Sequence, residues 1–138
     1  MKYKFLDHTA DIMFEAYGNS LNILFENAAL ATEATMIDLK QIKQDIKRKV
    51  SLKNKNIETL LYDFLSELLY FKDAELLLFS KIKVEIKKNK IYYLKAVLAG
   101  EKLNDKHEQK VDVKAVTFHK FEIKKRAKDY VARVILDI

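Results

Sequence analysis

Asp7 and Asp11 bracket His8 and Thr9 in the stretch DHTADI, close behind the start of the chain. At the far end, VILDI carries an apolar run into Asp137 and then Ile138. If the terminal strand lies beside the first, Asp11, Asp137 and the Ile138 carboxylate converge. Three such anions repel one another unless they are protonated or bridged by a cation. Oxygen-only ligation suits a hard ion such as Ca²⁺ or Mg²⁺, and His8 nearby keeps zinc open. The plainer alternative is that each aspartate closes a turn on its own backbone, as Asx residues commonly do. Spacing leaves both open.

Two further candidates lie in VKAVTFHKF. Lys114 precedes a strand in an apolar stretch, although one lysine among so many is by default solvated. His119 and Phe118 must point to opposite faces of a regular strand, and a lone histidine there is more often structural. His107, in DKHEQ, reads as an ordinary loop residue. Several familiar chemistries are missing from the text. The only glycines are Gly18 and Gly100, so no glycine-rich phosphate loop exists. No nucleophile-elbow serine or zinc-helix histidine pair occurs, and the absence of cysteine removes thiolate sites and disulfides.

These residues need elements to hold them. A chain of 138 residues, 49% apolar and 33% charged, is long enough for one domain with a real core. No apolar run reaches the roughly 18 residues that span a bilayer, and the N-terminal text lacks a signal-peptide layout. A cytoplasmic protein with no membrane partner is expected. The net charge of +6 is uneven: residues 39–55 carry seven bases against one acid, and residues 76–138 sixteen against eight. A basic face of this kind meets nucleic acid or an acidic protein, or is merely the wet side of strands.

KYKFL and IMFEAYG read as two short strands or one interrupted strand, with DHTAD as the interruption. Leu21, Leu24, Phe25, Ala28 and Ala29 recur at helical spacing after Asn19 or Ser20. Residues 42–52 switch to period two, and Asn56 caps a second helix with a stripe from Leu60 to Leu69. LLFSKIKVEIK and IYYLKAVLAG flank the short connection KNK. TFHKFEIKK and YVARVILDI flank RAKD, and the polar stretch between the two hairpins is a loop or one short helix. The order predicts an α+β fold with two helices packed on a largely antiparallel sheet, one domain over residues 1–138.

Taken together, DHTADI, KHE, VKAVTFHKFEI and the terminal VARVILDI resemble the archease family, in order from residue 5 to the last residue. Tyr130 stands where that family often has tryptophan, an aromatic exchange that affects packing. Residues 39–100 carry no matching motif. The resemblance implies a helper protein with no catalytic residues of its own. Its partner would be an RtcB-type RNA ligase of tRNA splicing, which uses GTP and a divalent metal. The helper would promote guanylylation of the ligase and its repeated turnover, meeting tRNA only through the ligase. Carried over residue by residue, a metal site falls on Asp11, Asp137 and Ile138, with Ca²⁺ the first choice and Mg²⁺ or Mn²⁺ as alternatives. Lys114 is the next residue to assign a role, followed by Asp7, His8 and His119. The competing classes are a metal-dependent phosphoester hydrolase, supported only by the acid cluster, and a free-standing tRNA-binding chaperone domain.

Overall fold

Alternation and helical spacing become seven strands and two α-helices in the computed structural model, which describes residues 1–7 and 10–138. In chain order these are β1 (Tyr3–Leu6), β2 (Ile12–Gly18), α1 (Leu21–Met36), β3 (Ile46–Asn54), α2 (Ile57–Glu75), β4 (Leu77–Asn89), β5 (Ile91–Lys102), β6 (Ala115–Lys125) and β7 (Tyr130–Asp137). The expected α+β class holds, with one difference. The strands form two antiparallel sheets, ordered β1-β2-β7-β6 and β3-β5-β4, where a single sheet was expected. Residues 103–114 contain no helix, and a 3-10 turn at Leu39–Gln41 delays β3 until Ile46.

Both helices begin where the sequence signals it. The Ser20 hydroxyl accepts the Ile23 amide at 3.2 Å, and the Asn56 side chain accepts that of Thr59 at 2.9 Å. α2 ends in a left-handed residue, Leu76 at φ 56°, a position usually given to glycine. Leu24, Phe25 and Ala28 of α1 and Leu60, Phe64 and Leu68 of α2 are fully buried. They join the inward faces of both sheets in one continuous core.

The helices also bond sideways to strand edges. On α1, Asn22, Glu26 and Glu33 accept the β4 amides of Ile86, Val84 and Phe79 at 2.8, 2.9 and 2.8 Å. Those amides face away from β5 and would otherwise be an open edge. On α2, Glu58 accepts the Ile123 amide of β6 at 2.8 Å. Gly100 allows one tight approach, because a Cβ there would lie 2.7 Å from the Phe79 Cα and even closer to the Leu78 carbonyl.

Glu33 has no exposed surface, and no described residue partners its Oε1. Burial raises its carboxyl to about 8, although the Phe79 amide and the Lys72 charge both pull it down. Between the ordinary value of 4.5 and about 8, the folded chain binds a proton here that the unfolded chain does not. Stability must therefore fall as pH rises through that window. Glu33→Gln keeps an oxygen for the Phe79 amide and removes the titration. Thermal melts at pH 5 and pH 8.5 should show a loss on the order of a few kcal/mol in the wild type. In the variant that difference should be largely gone; a loss equal to wild type would show that Glu33 is not the group.

Candidate functional site

The two chemistry-bearing stretches meet at one end of the four-stranded sheet. β7 pairs with β2, the second arm of the N-terminal hairpin, rather than with β1. The last registered pair is Ile12 with Leu136, so Asp11, in a bend just before β2, and Asp137 are the next residues along the two segments. On its other side Asp137 faces Ala115 of β6, and the Lys114 amide donates to the Asp137 carbonyl at 2.8 Å. Asp137 is thus held by β6, with Asp11 at the mouth of the same corner.

Asp11, Asp137 and Ile138 are half-buried, whereas Asp7, just past the end of β1, is exposed. His8, the other candidate of that motif, lies outside the described residues. Among the described residues no three His, Cys, Asp or Glu side chains gather in a metal-sized cluster. The oxygen-bearing groups along this end of the sheet are the Asp11 and Asp137 carboxylates and the Ile138 backbone. Thr117, two residues beyond Ala115 on the same face of β6, has a buried hydroxyl with no partner among the described residues. In donor chemistry the corner fits a hard divalent cation and does not fit a soft one.

Lys114 reaches the corner through its backbone, and its side chain is exposed. His119 does not. β6 departs from regular pairing between Thr117 and Glu122, which face Ile135 and Arg133. The residues from Phe118 to Phe121 therefore all stand opposite Val134, roughly 10 Å along β7 from Asp137. Lys120 adopts φ 55° in this bulge, and His119 is exposed. The bulge is pinned from α2: the Tyr62 ring stacks on Phe118 with centroids 4.0 Å apart and meets Phe121 edge-on at 6.0 Å. The sequence carried a signal for it, since phenylalanines three apart cannot share a face of a regular strand.

The segment that delivers Lys114 is tied down by residues that sequence reasoning passed over. The Leu103 amide donates to the Leu76 carbonyl at 2.8 Å, and that of Lys110 to Met36 at 2.8 Å. His107 Nδ1 accepts the Asn104 amide at 3.0 Å, so Nε2 carries the proton and donates to Glu101 at 3.0 Å. The Lys43 amide and His107 together hold the Glu101 carboxyl below its ordinary value. Lys72 is buried and donates to Asp112 and to the Val113 carbonyl, both at 2.6 Å. Burial alone would lower its pKa, but its hydrogen bonds to the Asp112 and Asp73 carboxylates outweigh it and the net shift is upward.

A family model describes the match to this corner and to the sheets behind it: the Archease protein family aligns over residues 3–138. The chain belongs to the archease family. Protein archease of Archaeoglobus fulgidus is 41% identical over 138 residues, covering all of both chains. Its counterpart in Methanosarcina acetivorans is 41% identical over 140 residues, covering 99% of this chain and 96% of the relative. The solution structure of Methanobacterium thermoautotrophicum protein 1598 superposes with a TM-score of 0.90 at 43% identity, covering 99% of each chain. An archease from Thermotoga maritima, described as a possible chaperone, shares the fold at a TM-score of 0.65 and 20% identity.

In this archease chain, Lys72 is the tether whose loss should be felt at the corner. Its partners Asp73 and Asp112 are exposed and would stay solvated, while the buried Val113 carbonyl loses its donor, so Lys72→Met should cost about 1–3 kcal/mol in global stability. Hydrogen exchange at the Lys110 and Lys114 amides should accelerate tenfold or more, ahead of the core. Unchanged exchange there would mean the loop is held without Lys72.

Proposed function

We propose that this archease is a non-catalytic activator of an RtcB-type RNA ligase, promoting GTP-dependent guanylylation of the ligase and its multiple turnover. A divalent cation, Ca²⁺ first, would be held by Asp11, Asp137 and an oxygen of Ile138. The observation that carries the reading is the β2–β7 pairing, whose last pair, Ile12 with Leu136, directly adjoins Asp11 and Asp137, with Asp137 tied to β6 through Lys114. Membership of the family supports the helper role.

The chain's own residues contribute position and charge. Strand β7 carries Asp137, and Asp11 directly precedes β2, so the two backbones arrive at one sheet end already ordered by the β2–β7 pairing. The bound cation would supply a concentrated positive charge and open positions for oxygen ligands. Asp11 and Asp137 would direct that charge outward from the sheet end, toward phosphate or carboxylate groups of the partner's site. Acceleration would then come from ordering the partner's charges in advance of reaction. The exposed Lys114 amine stands beside this corner as a point charge for phosphate or for an acidic partner group.

Mixing the chain with its cognate ligase, GTP and Mg²⁺ or Mn²⁺, without RNA, should speed formation of the ligase–GMP adduct at least tenfold. No acceleration would overturn the reading. Asp137→Asn should lower Ca²⁺ affinity by at least tenfold in calorimetry, and should lower the acceleration with it. Its melting temperature without added metal should be close to wild type. Full activity without measurable Ca²⁺ binding would dispose of the metal and leave the activator.

A further inference from the structure

The three-stranded sheet turns one face to the core and the other to solvent. Along β3 the outward positions are Lys47, Lys49, Ser51 and Lys53, all exposed. Register sets them beside Ala99, Val97, Lys95 and Tyr93 of the central strand β5. Across β5 from those positions lie Lys81, Lys83, Glu85 and Lys87 of β4. One sheet face therefore carries seven lysines against a single glutamate. It runs seven residues along the strands, roughly 20 Å, and three strands across, roughly 10 Å. Tyr93 is 44% exposed and Val97 39% exposed in the middle strand of this field. Between the flanking lysines lies a shallow depression of about 280 Å³, with Lys49, Lys83, Lys95 and Val97 around it.

Two ordinary explanations fall short. Lysines protect open sheet edges from pairing, and β3 is such an edge. That accounts for Lys47, Lys49 and Lys53. It does not account for Lys95 on the central strand, nor for Lys81, Lys83 and Lys87 on β4, whose edge is already covered by α1. The second explanation is a solvated face of mixed charge. The outer face of the other sheet is of that kind, with Arg133 3.2 Å from Glu15 and 4.0 Å from Glu122. On the lysine face the only ion pair among the described residues is Lys87 with Glu85, at 3.1 Å. The remaining lysines keep their mutual repulsion, which a polyanion would relieve.

We propose that this face of the β3-β5-β4 sheet binds single-stranded RNA directly, tracking its phosphates with lysines and offering Tyr93 as a stacking surface. Lysines without arginine on the face fit point-charge contact with phosphate rather than bidentate reading of base edges. An aromatic ring within a basic field matches sequence-tolerant binding of unpaired strands. The choice of RNA over DNA rests on the ligase reading above. The face belongs to a different sheet from the Asp11–Asp137 corner, so one molecule could hold RNA and engage a partner at once.

Fluorescence anisotropy of a labelled 12-nucleotide RNA with the protein alone tests this. Binding should be measurable in 50 mM salt. It should weaken with a log–log salt slope of about −2 to −4, as three to five released counterions on a single strand require. Lys49→Glu with Lys83→Glu should reduce affinity at least tenfold. Tyr93→Ala should reduce it severalfold with the salt slope unchanged, and Lys128→Glu, on the β6–β7 hairpin, should leave it within twofold. Circular dichroism confirms the fold of each variant, and Lys49→Gln with Lys83→Gln serves should the charge reversal unfold. No binding in 50 mM salt overturns the proposal, as does equal loss in Lys128→Glu. Loss of RNA-free guanylylation in the lysine variants without any RNA binding would mark the face as a protein-docking surface and overturn it as well. RNA binding without any guanylylation effect would leave this inference standing while the activator reading fell.

Discussion

Strand β4 has outward-facing amides, and three α1 side chains accept them. Asn22, Glu26 and Glu33 lie seven or four residues apart, on one side of the helix, and meet Ile86, Val84 and Phe79 in turn. A hydrophobic stripe alone would let a helix rotate or slide over a sheet. Three directional bonds at set intervals remove that freedom, and α1 also packs on β2. Together with α2, which packs on β3 and bonds to β6 through Glu58, this seam sets how the two sheets sit relative to one another. Its innermost member is the most costly, because Glu33 sits in the core as a neutral acid at neutral pH.

The elements were legible wherever a local rule applied. Ser20 and Asn56 announced the helices, the alternation of KVSLK and KIKVEIK announced wet-faced strands, and KNK and RAKD announced hairpins. The division into two sheets was not legible, since no local pattern tells a strand which neighbour to choose. Nor was the seam: nothing local marks Glu26 and Glu33 before the sheet edge they serve is known. The β6 bulge stood in between. Phe118 and Phe121 break the alternation in plain view, but the reason lies on another element, in Tyr62.

The candidate site shows the same division. Asp11 and Asp137 could be singled out by residue type, but they are 126 positions apart and only the β2–β7 pairing brings their segments to one end of the sheet. Lys114 could be singled out too, for its side chain, while its backbone amide is what ties β6 to Asp137. Lys72 offered no signal, being one lysine in a helix, and its value comes from being the buried one. Such residues act by holding a loop that holds a strand end, and sequence spacing does not record that kind of dependence.

The order β1-β2-β7-β6 has a consequence for how the chain acquires its shape. The central partner of this sheet, β7, follows every other strand in the sequence, and both β2 and β6 need it for pairing. The three-stranded sheet and both helices can assemble from residues 21–102 before β7 has been made. The N-terminal hairpin must meanwhile wait with Phe14 and Ala16 uncovered on one side. Long-range closure of this kind is slow and leaves apolar strand exposed while it waits. Synthesis therefore completes the lysine-faced half of the molecule first. The corner of Asp11 and Asp137 comes into existence only as the last strand slides into its slot.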